Sequence, residues 1–170
     1  AVEPGPDFTT WDLPRLFAEI SHHFEAALSS PESLRLSPIG HWEGFLIRGV
    51  MPDAWRPTLY DFLVHEAIGF YSAGEQWGIK PEGSFDFSAT SPALGPVKEF
   101  MSWSPETSDT NAPSIRALRL FQELLQFHQN DPAPRLAFAE ADLSRLEWAW
   151  NTASGEEKNK RYKDALSNFI

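Results

Sequence analysis

Cysteine is absent from this 170-residue chain. That excludes disulfides, thiolate metal sites and thiol catalysis, and it leaves the redox compartment open. Long apolar runs are missing too: no stretch approaches the roughly 20 residues a membrane span needs, so direct membrane insertion is not expected. Clustered positive charge is scarce. Lysine and arginine total 14 against 24 acids, for a formal net charge of −10 and a pI near 4.9. The one dense cationic run, Lys158, Lys160, Arg161 and Lys163, sits between Glu157 and Asp164. Nucleic acid and anionic membranes are therefore poor partners, because affinity for phosphates comes from clustered Lys and Arg. No secretory signal is visible, and the Ala1-Val2-Glu3-Pro4-Gly5-Pro6 start reads as a boundary within a longer protein.

What is present fits one globular domain spanning residues 1–170. Hydrophobic residues make up 42% and charged residues 22%, a balance that argues against disorder, and the length suffices to bury a core. Aromatics reach 14%, with seven tryptophans, so large rings are expected both in the core and along a packing surface.

Periodicity predicts an all-α fold: an irregular, tetratricopeptide-like antiparallel array of helical hairpins with one long ordered loop excursion. Residues 1–9 read as a loose lead-in. Helix one spans about Thr10 to Leu28, capped by Thr10 or Asp12, with Leu13, Leu16, Phe17, Ile20, Phe24, Ala27 and Leu28 on one face. Residues 29–38 read as a connection, followed by a short helix around Ile39–Ile47 with Trp42, Phe45 and Leu46 inward. Helix two runs from Pro57 to about Ser72 and is apolar over most of its circumference. Leu59, Phe62, Leu63, Ala67 and Phe70 form one stripe and Tyr60, Val64, Ile68 and Tyr71 a second, so neighbours are expected on several faces. A close helix–helix approach would explain Gly69 within it. Residues 74–112 are too rich in proline and glycine for a long helix and too apolar for a solvated linker. They are expected to lie over the helices, with Val97–Trp103 as a short strand or extended rib. Helix three covers Pro113 to about Gln129, with Asn111 as its cap and His128 or Phe127 inward. Helix four follows Asp131-Pro132-Ala133-Pro134 as far as Thr152, and helix five starts at Ser154 or Gly155. No strict 34-residue repeat is present, which excludes a regular tetratricopeptide array.

Catalytic patterns fail one after another. His65-Glu66 opens like the zinc-protease signature, but the position that needs the second histidine is Gly69. His22 and His23 point about 100° apart on a helix, and neither His41 with Glu43 nor His128 with Glu123 has a second pair at ligand spacing. Glu140 and Asp142 diverge on their helix. Asp142 is expected to pair with Arg145 or Arg135, Asp61 to be a buried, paired acid, and His65 to be a partly buried residue with one hydrogen bond. No Gly-x-Ser-x-Gly elbow or phosphate-binding glycine loop occurs. No catalytic, cofactor-binding or metal-binding residue is assigned, and an enzyme is not expected. Trp148 and Trp150 lie about 200° apart on one helix, so one of them is expected to face the loop excursion or an external partner as an interface aromatic.

Three patches carry a resemblance. They are Thr10-Trp11-Asp12-Leu13, the segment Arg56-Pro57-Thr58-Leu59-Tyr60-Asp61-Phe62-Leu63-Val64-His65-Glu66-Ala67, and Asp142-Leu143-Ser144-Arg145-Leu146 together with Tyr162-Lys163-Asp164-Ala165-Leu166. Together they resemble the N-terminal helical region of large bacterial alpha-2-macroglobulin-like proteins of the Bacteroidetes type, whose central pattern looks like R-P-T-L-Y-D-F-L-A-H-R-A. Glu66 departs from it where the family often has arginine. The resemblance implies a large exported protein of the cell envelope, periplasmic or surface-exposed, in a family implicated in protease trapping. Many members carry a thioester in a C-x-E-Q motif, chemistry that a cysteine-free segment cannot hold. On this reading the chain is a helical scaffold whose partners are other domains of its parent and, through the parent, envelope proteins or proteases. The alternative is an independent peptide- or protein-binding helical-repeat module.

Overall fold

A computed structural model describes residues 7–47, 49–73 and 87–167. The fold is all-α, with seven α-helices among these residues: α1 Leu13–Ala27, α2 Pro31–Arg35, α3 Leu59–Ser72, α4 Val97–Ser102, α5 Pro113–His128, α6 Leu136–Thr152 and α7 Lys158–Leu166. Short 3₁₀ turns at Phe8–Thr10, Ile39–Trp42, Asp53–Trp55 and Pro92–Leu94 connect them. Extended pairing among the described residues is limited to isolated bridges, Pro38 with Thr58 and Ser88 with Ser154.

α5 is the spine, packed between α3 and α6. Ile115, Leu118, Phe121, Leu124 and Leu125 are buried along it at steps of three and four, the spacing that keeps one stripe of a helix facing its neighbours. α3 lays Tyr60, Val64, Ala67, Ile68 and Tyr71 into this core. Of the other apolar stripe, Leu59, Phe62, Leu63 and Phe70 are only half-buried, beside α1, α2 and the Ile39–Trp42 turn. The aromatic seam with α1 stacks Phe17 on Phe70 at 4.8 Å and brings Phe24 within 5.5 Å of the same ring. Leu13, placed inward by periodicity, is instead half exposed at the first turn of α1.

Several local expectations are corrected. Residues 31–35 form the short helix α2 rather than a connection. Val97–Ser102 is helical, not a strand or rib: Phe100 N–H bonds to Pro96 O at 3.1 Å, and Phe100 is fully buried. α5 is preceded by Ala112 at its cap position with no side-chain hydrogen bond, so Asn111, which is exposed, does not cap it. α7 begins at Lys158, after a turn in which Gly155 adopts φ +119°. L-side chains are strained in that region, so the turn requires glycine. Of the long excursion, residues 74–86 lie outside the described residues. The remainder buries Phe87, Ala89, Ala93, Leu94 and Phe100.

Gly69 is exposed, and a Cβ added there meets nothing within 4 Å among the described residues. No close approach of a described helix accounts for it. Gly69→Ala is therefore expected to stabilise the domain by about 0.5–1 kcal/mol, because alanine loses less backbone freedom on entering a helix. A rise in the urea midpoint at unchanged m-value checks this; a fall would mean that the position serves something besides the helix.

Candidate functional site

The polar residues of the segment 56–65 converge on the core from the start of α3. Thr58 caps the helix by accepting from Asp61 N–H at 3.3 Å. Asp61 Oδ2 in turn accepts from Thr58 N–H at 2.9 Å and from the Thr58 hydroxyl at 2.6 Å. This reciprocal pattern satisfies donors that a helix start otherwise leaves open. It also turns the second carboxylate oxygen inward. Asp61 Oδ1 lies 2.7 Å from His128 Nε2, and His128 Nδ1 lies 2.7 Å from Asp131 Oδ2. Asp61 and His128 are each 1% exposed. The end of α5 is thus held to the start of α3 by a histidine clamped between two carboxylates. Both ring nitrogens are engaged, which leaves no lone pair for a metal ion.

Burial, the largest single influence on His128, favours its neutral form. The hydrogen bonds and charges of Asp61 and Asp131 together outweigh burial and hold the pKa above the ordinary imidazole value of 6.5.

A second cluster forms around Glu140 of α6, which is 4% exposed. Arg56 donates to Glu140 Oε1 through Nη2 at 2.6 Å and Nε at 3.2 Å, and Ser144 donates to the same oxygen at 3.2 Å. His65 Nε2 stands 2.9 Å from Glu140 Oε2, a contact that is ionic only with the ring protonated and whose alignment falls short of a hydrogen bond. Burial pushes the Glu140 carboxyl up, but His65 and Arg56 outweigh it and hold its pKa below the usual carboxylate value. Thus Arg56 and His65, on either side of Asp61, fasten α3 to α6 while Asp61 fastens it to α5.

The third cluster pairs Asp142 with Arg145, one helical turn apart on α6. Asp142 Oδ1 accepts from Arg145 Nε at 2.9 Å and from Nη2. Arg145 Nη1 donates to the carbonyls of Ala93 at 2.8 Å and Gly95 at 2.9 Å, and the guanidinium carbon lies 4.9 Å from the centre of the Phe100 ring. A Cβ at Gly95 would meet Pro92 O and Glu99 Oε2 at 3.3 Å each, tighter than most Cβ contacts. Burial dominates both titrations, raising the pKa of Asp142 and lowering that of Arg145. From α5, Gln122 Nε2 donates to the carbonyls of Phe100 at 2.8 Å and Trp103 at 2.7 Å. Two helix side chains, Arg145 and Gln122, therefore satisfy the main chain of the excursion and pin it over the core.

The two tryptophans separate as their helical positions dictate. Trp148 is buried between Phe87 of the excursion and Phe121 of α5, at ring distances of 5.3 and 5.4 Å, and is not available to an outside partner. Trp150 is half-buried, stacked 5.6 Å from Tyr162 of α7 and donating to Asn159.

Sequence reasoning missed Glu140 and His128 as partners of the motif. Glu140 diverges from Asp142 on the helix, but it falls on the same inward stripe as Ala137, Ala141 and Ser144. An acid on the apolar face of a helix was the available signal. His128 was weighed only against Glu123, its neighbour in sequence; its partner is 67 residues away.

Exposed apolar side chains concentrate in the segment from Leu36 to Met51. Helical turns here stop at Trp42, so Phe45, expected inward, is 84% exposed; Leu36 is equally so, and Ile47 and Val50 are completely exposed. Ile39, Leu46, Ile47, Met51 and Phe62 line a shallow groove of about 240 Å³ beside α3, with Glu43, Asp53 and Glu66 also along it. No family model, curated protein or solved structure matches the chain.

Proposed function

We propose that this chain is a non-catalytic helical scaffold module of an alpha-2-macroglobulin-like protein of the bacterial cell envelope, and that residues 36–51 form the face it presents to another part of that protein. The observation that carries this reading is the exposed apolar segment. Four large apolar side chains stand almost wholly in water within 15 residues of an otherwise well-packed domain. Concentrations of this kind mark interaction sites. The buried ionisable groups support the non-catalytic part. Asp61, His65, His128, Glu140, Asp142 and Arg145 are each engaged by a partner from the fold itself, whereas acid–base catalysis needs a positioned group free to exchange a proton with substrate. In the segment that carries the family resemblance, Arg56, Thr58, Asp61 and His65 are all spent on joining helices.

Two measurements test the proposal. The gene around this segment should encode a long β-rich region downstream; a gene that encodes this chain alone overturns the reading. The triple variant Phe45→Ser, Ile47→Ser and Val50→Ser should leave thermal stability within about 0.5 kcal/mol of the parent. It should also lose at least about tenfold in affinity, roughly 1.4 kcal/mol, for the separately produced adjoining domain. Undiminished association of that variant would remove segment 36–51 from the interface.

A further inference from the structure

A cavity of about 580 Å³ lies between α6, the start of α4 and α7. Its volume falls within the roughly 300–1,000 Å³ typical of small-ligand pockets. Pro96, Val97, Phe138 and Leu146 supply apolar wall, while Ala139 and Ala165 contribute only methyl groups and leave the space open. Asp142 and Arg145 also line it, 6% and 1% exposed.

These two buried charges are not equally committed. Arg145 spends its donors on Asp142 and on the Ala93 and Gly95 carbonyls. Asp142 gives Oδ1 to both guanidinium bonds, and its Oδ2 accepts no hydrogen bond from the described residues. That oxygen is also absent from the polar atoms sealed in the interior without a partner, so it retains access to a ligand or to water.

Lys98 and Arg135, both exposed, complete the lining. Neither forms an ion pair with an acid of the described residues. Arg135 rests 5.0 Å over the Phe138 ring and donates to Gln129 O at 3.3 Å. With Asp142 balancing Arg145, and with Glu99 and Arg161 of opposite charge both reaching Gly95, Lys98 and Arg135 leave surplus positive charge beside an apolar cavity in a chain whose net charge is −10. An anion attached to an apolar body and bearing one hydrogen-bond donor matches this arrangement.

We propose that the cavity captures the C-terminal residue of a peptide ending in an apolar side chain. The carboxylate pairs with Lys98 and Arg135, the side chain packs against Phe138, Val97 and Leu146, and the last backbone N–H donates to Asp142 Oδ2. Capture of a terminal carboxylate is an established mode of peptide recognition. It is a binding activity separate from the scaffold role and does not use the 36–51 face.

Isothermal titration with acetyl-Ala-Ala-Ala-Leu tests this against two controls, the same peptide with a C-terminal amide and octanoate, each at up to about 1 mM. The free acid is expected to bind, and the amide and octanoate to bind at least about tenfold more weakly. The exposed pair Lys98→Ala and Arg135→Ala should weaken the acid by about tenfold and leave the amide unchanged. Circular dichroism establishes that this variant is folded, and the Phe45, Ile47 and Val50 triple variant should bind the acid like the parent. Equal affinity for acid and amide, or no effect of the Lys98 and Arg135 changes, overturns the carboxylate role. Octanoate binding as tightly as the peptide overturns the N–H donor role, and no heat from any probe overturns the site.

Discussion

Asp61→Ala is expected to lower folding stability by about 3–5 kcal/mol, a large part of what holds an ordinary domain together. The substitution removes two supports at once. It deletes the reciprocal cap with Thr58, worth about 1 kcal/mol, and it strips His128 of its buried carboxylate partner. Asp61→Asn should cost less, since an amide oxygen can still accept from the Thr58 donors while the ionic attraction to His128 is lost. Urea unfolding of both variants reads the effect, and an alanine cost below about 1 kcal/mol would show that the clamp contributes little.

The pH dependence has a definite sign. The folded pKa of His128 lies above 6.5 because Asp61 and Asp131 outweigh the effect of burial. Its contribution is therefore present in full below pH 6.5 and is lost as pH rises through the folded value. The Asp61→Ala penalty should accordingly be larger near about pH 6 than near about pH 9. Glu140 runs the other way. Its lowered pKa gives a contribution present above the ordinary value of 4.5 and lost as pH falls through its folded value. Keeping the comparison above pH 4.5 separates the two groups.

Arg145→Met is the other substitution with a large expected cost, again about 3–5 kcal/mol, because it leaves Asp142 buried without its cation. It also takes the donor from the Ala93 and Gly95 carbonyls, which tie the Pro92–Leu94 turn and the start of α4 to α6. Adding Asp142→Leu should recover at least about 1–2 kcal/mol of this loss, since an apolar pair avoids the desolvation that a buried ion pair incurs. Burial raises the pKa of Asp142 despite the adjacent guanidinium, the behaviour of a pair that is held in the core at some cost. If the double variant is no more stable than Arg145→Met alone, the damage comes from the lost carbonyl anchors and not from the stranded carboxylate. Proteolysis near residues 87–96 would then rise equally in both variants.

Helices were legible in this chain where an apolar stripe repeats over several turns. α1, α3, α5 and α6 fall within a few residues of their expected spans, because periodicity over 14 to 17 residues outweighs any single position. Short segments were not legible. α4 has six residues, too few for helical and extended patterns to separate, and burial of Phe100 against the core decided its conformation. Asn111 carries the right chemistry for a cap, but the chain enters α5 through Ala112 and Pro113. Capping depends on where the backbone turns, which composition alone does not specify.

By itself the sequence determined the helical class, the restriction of the Asp142 partner to Arg145 or Arg135, and the exclusion of thiol chemistry. Interactions within a helical turn are set by spacing, and absent atoms cannot react. Only the tertiary structure decided that Asp61 meets His128, that Arg56 and His65 meet Glu140, and that Leu36, Phe45, Ile47 and Val50 stand in water. The Asp61–His128 and Arg56–Glu140 contacts join residues 67 and 84 positions apart. Which of several possible long-range partners a buried charge takes is settled by how the helices dock, since an unpaired charge excludes every arrangement that leaves it alone in the core.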